Sequence, residues 1–100
     1  MTNIYYIMAS DRKDKKFKVV LPSGKTIHFG AEGYSDYTIH KDYDRMKRYE
    51  IRHKKRENWK RSGIDTAGFW SKWILWNKPS ISASIRDTED RFNIRIVKKR

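Results

Sequence analysis

Cysteine is absent from the 100 residues. That excludes disulfide staples, thiolate metal sites and a cysteine nucleophile, and it suits a reducing compartment. Acid is scarce: 12 Asp and Glu stand against 24 Lys and Arg, for a formal charge of +12. Core aliphatics are thin as well. Leu, Ile, Val and Phe together number twenty, at the border where a highly charged chain stays disordered. The first apolar run, Ile4-Tyr5-Tyr6-Ile7-Met8, is short and has no basic stretch before it. It therefore reads as neither a signal peptide nor a membrane span, and the chain as soluble or peripheral.

Aromatics offset the thin aliphatic content. There are fourteen, including four Trp and six Tyr, and each buried aromatic removes roughly 150 to 250 Å² from water. The length fits one domain, since the usual module is roughly 100 to 200 residues. We expect a single small basic domain over residues 1–100, with an N-terminal strand and loop to residue 15, a core from 16 to 97 and a basic tail at 98–100. Positive charge of this density repels itself, and a polyanionic partner relieves the repulsion. Nucleic acid is the first such partner to consider, ahead of acidic membranes and acidic protein surfaces.

Local patterns predict the elements. Ile4 to Met8 reads as a buried strand, and Ser10 to Lys16 as a loop. From Lys16 to Gly30, β-branched and aromatic residues flank Pro22-Ser23-Gly24-Lys25, which reads as a hairpin with Gly24 at positive φ. Gly30 to Ile39 has no helical period and is read as an ordered loop that packs Tyr34 and Tyr37. Asp42 is the expected N-cap of a long helix that runs to Ser62-Gly63. Thr66 caps a second helix, AGFWSKWILWN, stopped near Asn77 by Pro79. Ser80 opens a third, with Ile81, Ile85 and Phe92 on one face and Asn93 as a left-handed end. Ile94 to Val97 alternates as a last strand. The expected fold is α+β: a small antiparallel sheet, built from the hairpin and the terminal strands, packed on three helices with the Trp-rich helix at the centre.

Three patterns invite enzymatic or metal readings and fall short of them. Ser-Gly-Lys-Thr at 23–26 resembles part of a phosphate loop, but that motif needs Gly where Val19 stands, and the residues that follow prefer a strand. His28, His40 and His53 lie on three separate elements without the spacing of a zinc site. His53 is expected to pack on the docking face of the long helix, with the other two partly exposed. Ser35, Asp36 and His40 could form a nucleophile with an acid-base couple, yet nothing in their spacing requires it. No enzyme activity, catalytic residue, metal or cofactor is therefore expected.

The strongest functional signal is the long helix. Between Lys41 and Arg61 ten basic residues face four acidic ones, a balance of +6 in 21 positions. At 100° per residue, Tyr43, Met46, Tyr49 and His53 gather on one side, while Arg45, Arg48, Arg52 and Lys55 form a neighbouring stripe. Arg-rich stripes neutralise successive phosphates and allow bidentate contacts. The bland alternative is a solvated face that keeps the domain soluble, but Arg12 to Lys18 and the tail at Lys98 to Arg100 add more charge than solubility requires. The candidate nucleic-acid contacts are Arg45, Arg48, Arg52, Lys54, Lys55, Arg56, Lys60 and Arg61. No base-reading set stands out, so weak sequence preference is expected. The Trp-rich helix reads first as core; base stacking on an exposed Trp and insertion at a lipid surface are its alternatives.

The strings HFGAEGYSDYTIHKDYDRMKRYEIRHKKRENW and TAGFWSKWILWNKPSISASIRDTEDRF resemble a family of small basic proteins of nucleocytoplasmic large DNA viruses, the giant viruses. The resemblance covers Lys16 to Ile96, and Tyr43 stands where the family's helix often begins with Pro. It implies context rather than chemistry: a viral product, packaged in the virion or held in the host's cytoplasmic virus factory or nucleus, with no assigned activity. Under that reading the protein binds viral DNA or RNA in genome organisation. The alternative is a minor capsid or scaffold protein whose basic surface meets acidic faces of other capsid subunits.

Overall fold

Alternating burial along the strands builds a sheet with one covered face. The computed structural model describes residues 3–99; Met1, Thr2 and Arg100, the last residue of the expected basic tail, lie outside the described residues. Strands β1 (Ile4–Ala9), β2 (Lys15–Val20), β3 (Thr26–Ala31) and β4 (Arg95–Lys98) form one sheet in the order β3-β2-β1-β4. Tyr5 and Ile7 of β1, Val19 of β2, Ile27 and Phe29 of β3 and Ile96 of β4 point inward. The hairpin turns where expected, with Gly24 at φ 92° and Val20 opposite Thr26.

The sheet is mixed rather than wholly antiparallel. β1 pairs antiparallel with β2 but parallel with β4, with Tyr5 opposite Ile96. A parallel partner needs a long crossover, and the helical segment between β3 and β4 supplies it. β4 begins one residue later than expected, and of the expected tail Lys98 ends this strand while Lys99 is tied down beside it. The Lys99 amide donates to the Ile7 carbonyl at 2.7 Å, and the Lys99 ammonium sits 4.6 Å from the centre of the Tyr6 ring.

Helices cover the inner face. α1 (Tyr37–His40) and α2 (Tyr43–His53) precede a 3-10 turn at Arg61–Gly63. α3 (Ala67–Trp70) runs on without a break into a π-helical segment, Ser71–Leu75, and α4 spans Ile81–Phe92. The expected caps are in place. Asp42 accepts from the amides of Asp44 and Arg45, Thr66 from Phe69 and Ser80 from Ala83. Asn93 closes α4 in the left-handed region at φ 53°. Phe69, Trp70 and Ile74 from the central helix, and Ile85 and Phe92 from α4, fill the core against the sheet. Trp70 satisfies its indole N–H on the Ile64 carbonyl at 2.7 Å, which lets a large ring be buried without an unmet donor.

Two local expectations differ. The segment read as a loop contains α1, nucleated by Asp36, whose carboxylate accepts from the Thr38 amide at 2.9 Å. Tyr37 is buried as expected, but Tyr34 is 74 % exposed. The long helix stops at His53 rather than at Ser62-Gly63. After a turn at 54–56, Trp59 folds back so that its ring lies nearly parallel to Tyr49, 6.4 Å away. Gly63 then passes so close to Asn58 that a Cβ there would sit 2.0 Å from the Asn58 carbonyl oxygen. This tertiary packing ends the helix, not a local breaker.

Candidate nucleic-acid interface

α2 is held by aromatic stacking at the edge of the main core, against which Trp76 packs. Its apolar side presents Met46 and Tyr49, both buried. The Tyr49 ring lies flat on Trp76, centroids 4.2 Å apart at an interplanar angle of 0°, with His53 edge-on at 4.1 Å. Burial raises the pKa of the Tyr49 hydroxyl well above the ordinary tyrosine range. Trp59 donates its indole N–H to Glu57 at 3.0 Å, and the Glu57 carboxylate rests against Gly68, where a Cβ would be 2.8 Å from it. The helix is thus a ridge clamped on its inner side, with its outer side in solvent.

All eight candidate cations are exposed, but they do not share one helix. Arg45, Arg48 and Arg52 are on α2; Lys54, Lys55 and Arg56 are on the turn that follows; Lys60 and Arg61 come after the fold-back. The stripe expected through Lys55 therefore ends with Arg52. Arg61 differs from the others in that its guanidinium also donates to the Phe92 carbonyl at the end of α4. Among the described residues, none of the other seven is within ion-pair distance of a carboxylate. The acid of α2 is engaged elsewhere, with Glu50 3.2 Å from Lys47 and 3.5 Å from Lys72.

The ridge separates two clefts. The first, about 440 Å³, opens toward β2 and β3, with Arg45, Arg52 and Lys15 among its lining. Inside it lies the Lys16–Asp36 pair, 2.6 Å apart with both side chains largely buried. The second, about 610 Å³, lies between the opposite flank of α2 and the π-helical segment with α4. Its cations, Lys54, Lys72, Lys78 and Arg91, outnumber its lining carboxylate, Glu50, and Asp87 just behind, which pairs with Arg91 at 3.3 Å.

Lys72, Lys78 and Arg91 were not legible as site residues, because three separate elements deliver them. Lys72 did carry a signal, being the only charge in the apolar string AGFWSKWILWN. It is 6 % exposed, with its ammonium 4.7 Å from the centre of Trp73. Burial lowers its pKa, and Glu50 opposes that shift.

Ser35, Asp36 and His40 are not joined as a triad. Asp36 accepts from Lys16 and from the Thr38 amide and hydroxyl, while His40 Nδ1 accepts from the Asp42 amide at 2.9 Å. His40 therefore serves as a neutral acceptor at the α1–α2 junction. Burial and the nearby Arg45 hold its pKa below the ordinary imidazole value. His53 packs on the docking face as expected, and its Nδ1 is buried with no partner among the described residues.

Against known proteins, residues 6–53 match a family of unknown function (DUF5754). The match covers just under half of the chain, from β1 to the end of α2, so it includes Arg45, Arg48 and Arg52 but neither the fold-back nor the Trp-rich helix. No curated protein matches, and no solved structure does. No helix among the described residues is long and apolar enough to cross a membrane.

Proposed function

We propose that this small α+β domain is a non-enzymatic nucleic-acid binder that grips the phosphate backbone with the α2 ridge and the turn after it. The observation that carries the reading is the set of seven exposed cations, from Arg45 to Lys60, without carboxylate partners among the described residues. A solvated face that served solubility alone would gain from mixing its charges. A face that meets phosphates gains from leaving them unpaired. The anchoring stack of Tyr49 on Trp76 supports the same reading, because it holds Arg45, Arg48 and Arg52 on a docked helix rather than on a free tail. The giant-virus context implied by the resemblance makes viral DNA the natural polyanion and genome organisation in the virion the role.

Exposed apolar residues on the ridge favour a second reading. Ile51 is 72 % exposed beside the cations, which suits a minor capsid or scaffold protein docked on an acidic neighbouring subunit. Two experiments separate them. The double variant Arg48→Glu/Arg52→Glu, with its circular dichroism unchanged, should lose mobility-shift binding to duplex and single-strand DNA; retained binding overturns the ridge as the site. In disrupted virions the protein should travel with the genome core, whereas recovery in the shell fraction supports the scaffold.

A further inference from the structure

We propose that the second cleft receives one unpaired nucleotide of a single strand, its base stacked on Tyr43 at the rim and its phosphate among Lys54, Lys78 and Arg91. The inference rests on the nucleic-acid reading above and adds to it a preference for single strand over duplex.

Three observations converge on this cleft. The first is shape and lining: about 610 Å³ falls within the usual size of small-ligand sites, roughly 300 to 1,000 Å³, and the walls combine aromatic rings with cations. The second is Tyr43. It sits in the first turn of α2, and although it lines the cleft it remains 58 % exposed. A large ring left half in solvent, with the Lys47 ammonium 5.9 Å from its centre, is the arrangement that stacks bases without reading their identity.

The third is the floor. Lys72 is a buried cation whose carboxylate partner, Glu50, is shared with Lys47. It projects from a π-helical segment, a departure from regular helix that is frequent at functional sites. Apolar side chains would stabilise that position at least as well. Retaining an ammonium there, near Lys54, Lys78 and an Arg91 whose guanidinium is already 3.3 Å from Asp87, leaves the cleft with a surplus of positive charge, carried by the two lysines, that an entering phosphate neutralises. A duplex offers its phosphates to the ridge but keeps its bases stacked inside, so only an unpaired strand can use both features.

The test is an equilibrium titration of the full chain with a twelve-residue thymidine strand, the matching duplex and thymidine monophosphate. The wild type should bind the strand about tenfold more tightly than the duplex, the gain of one stacked base. Tyr43→Ala, which leaves the charge unchanged at a half-exposed position, should erase that advantage and leave duplex affinity within about twofold. Tyr43→Trp should keep it or increase it. Equal affinity for strand and duplex overturns the cleft proposal, as does an unaltered preference in Tyr43→Ala or tighter binding of the mononucleotide than of the strand. In each of those cases binding persists and the ridge reading stands. Absence of binding to strand and duplex alike overturns the ridge reading and the cleft proposal together.

Discussion

Replacing Tyr49 with Ala should undock α2 while leaving the sheet folded. The ring is 7 % exposed and belongs to the stack with Trp76 rather than to the cluster of Ile7, Phe29 and Trp70. Burying an aromatic ring removes about 150 to 250 Å² from water, and at about 25 cal/mol per Å² this is worth roughly 4 to 6 kcal/mol. Allowing for a compact unfolded chain lowers the figure by about 10 to 40 %, to roughly 2 to 5 kcal/mol, which overlaps the ~3 to 5 kcal/mol typical of removing a buried aromatic. A whole domain of this size is held by only about 5 to 15 kcal/mol, so the loss exceeds what an 11-residue helix can absorb locally. Native-state hydrogen exchange should show amide protection in α2 falling by about a hundredfold or more, with β1 and β2 nearly unchanged. Tyr49→Phe keeps the stack and should keep the protection. A uniform loss across β1, β2 and α2 would mean that α2 melts only with the core, and unchanged protection in α2 would mean that the stack does not hold it; either result overturns the prediction.

Two further substitutions test the packing and the buried charge. Gly63→Ala places a methyl carbon against the Asn58 carbonyl, a backbone atom with no room to yield. It should cost about 2 kcal/mol, a fall in midpoint of roughly 8 to 16 °C; a fall below 3 °C, on the order of a surface change, would show that the fold-back adjusts freely. Lys72→Met should leave stability at neutral pH unchanged or raised, because it removes a buried ammonium while Glu50 keeps Lys47. The two proteins should diverge in alkali. Burial holds the folded pKa of Lys72 below its unfolded value. Between those two values the unfolded chain binds more protons, and wild-type stability gains as pH rises through that window. Thermal melts should show this gain in the wild type and not in the variant; parallel pH profiles would contradict the burial of Lys72 as a charge.

What was legible in the sequence was what neighbouring residues decide among themselves. Asp42, Thr66, Ser80 and Asn93 mark helix ends through bonds to amides or backbone conformations only a few residues away, and Pro22 to Lys25 turns the hairpin by the same local logic. The α+β class and the central Trp helix followed from those ends and from the apolar periods. Non-local decisions were hidden. That β4 lies parallel to β1 depends on a crossover of some sixty residues, and that α2 stops at His53 depends on Trp59 finding Tyr49. The candidate site divides in the same way. The cations of α2 were visible as a stripe, since a helix displays its own period. The inward turn of Arg61 toward Phe92 was not, nor was the convergence of Lys72, Lys78 and Arg91 on one cleft, because each depends on elements distant in the chain.

If unpaired cations on the ridge neutralise phosphates, each contact releases counterions and binding must weaken with salt. Affinity for duplex DNA, followed across a range of salt, should fall along a straight line in log–log form, with a slope of about −0.9 for each phosphate neutralised. The Arg48→Glu/Arg52→Glu variant should flatten the line by at least about two contacts' worth. An affinity that does not change with salt, or a slope that the double reversal leaves untouched, would show that the ridge cations do not carry the binding.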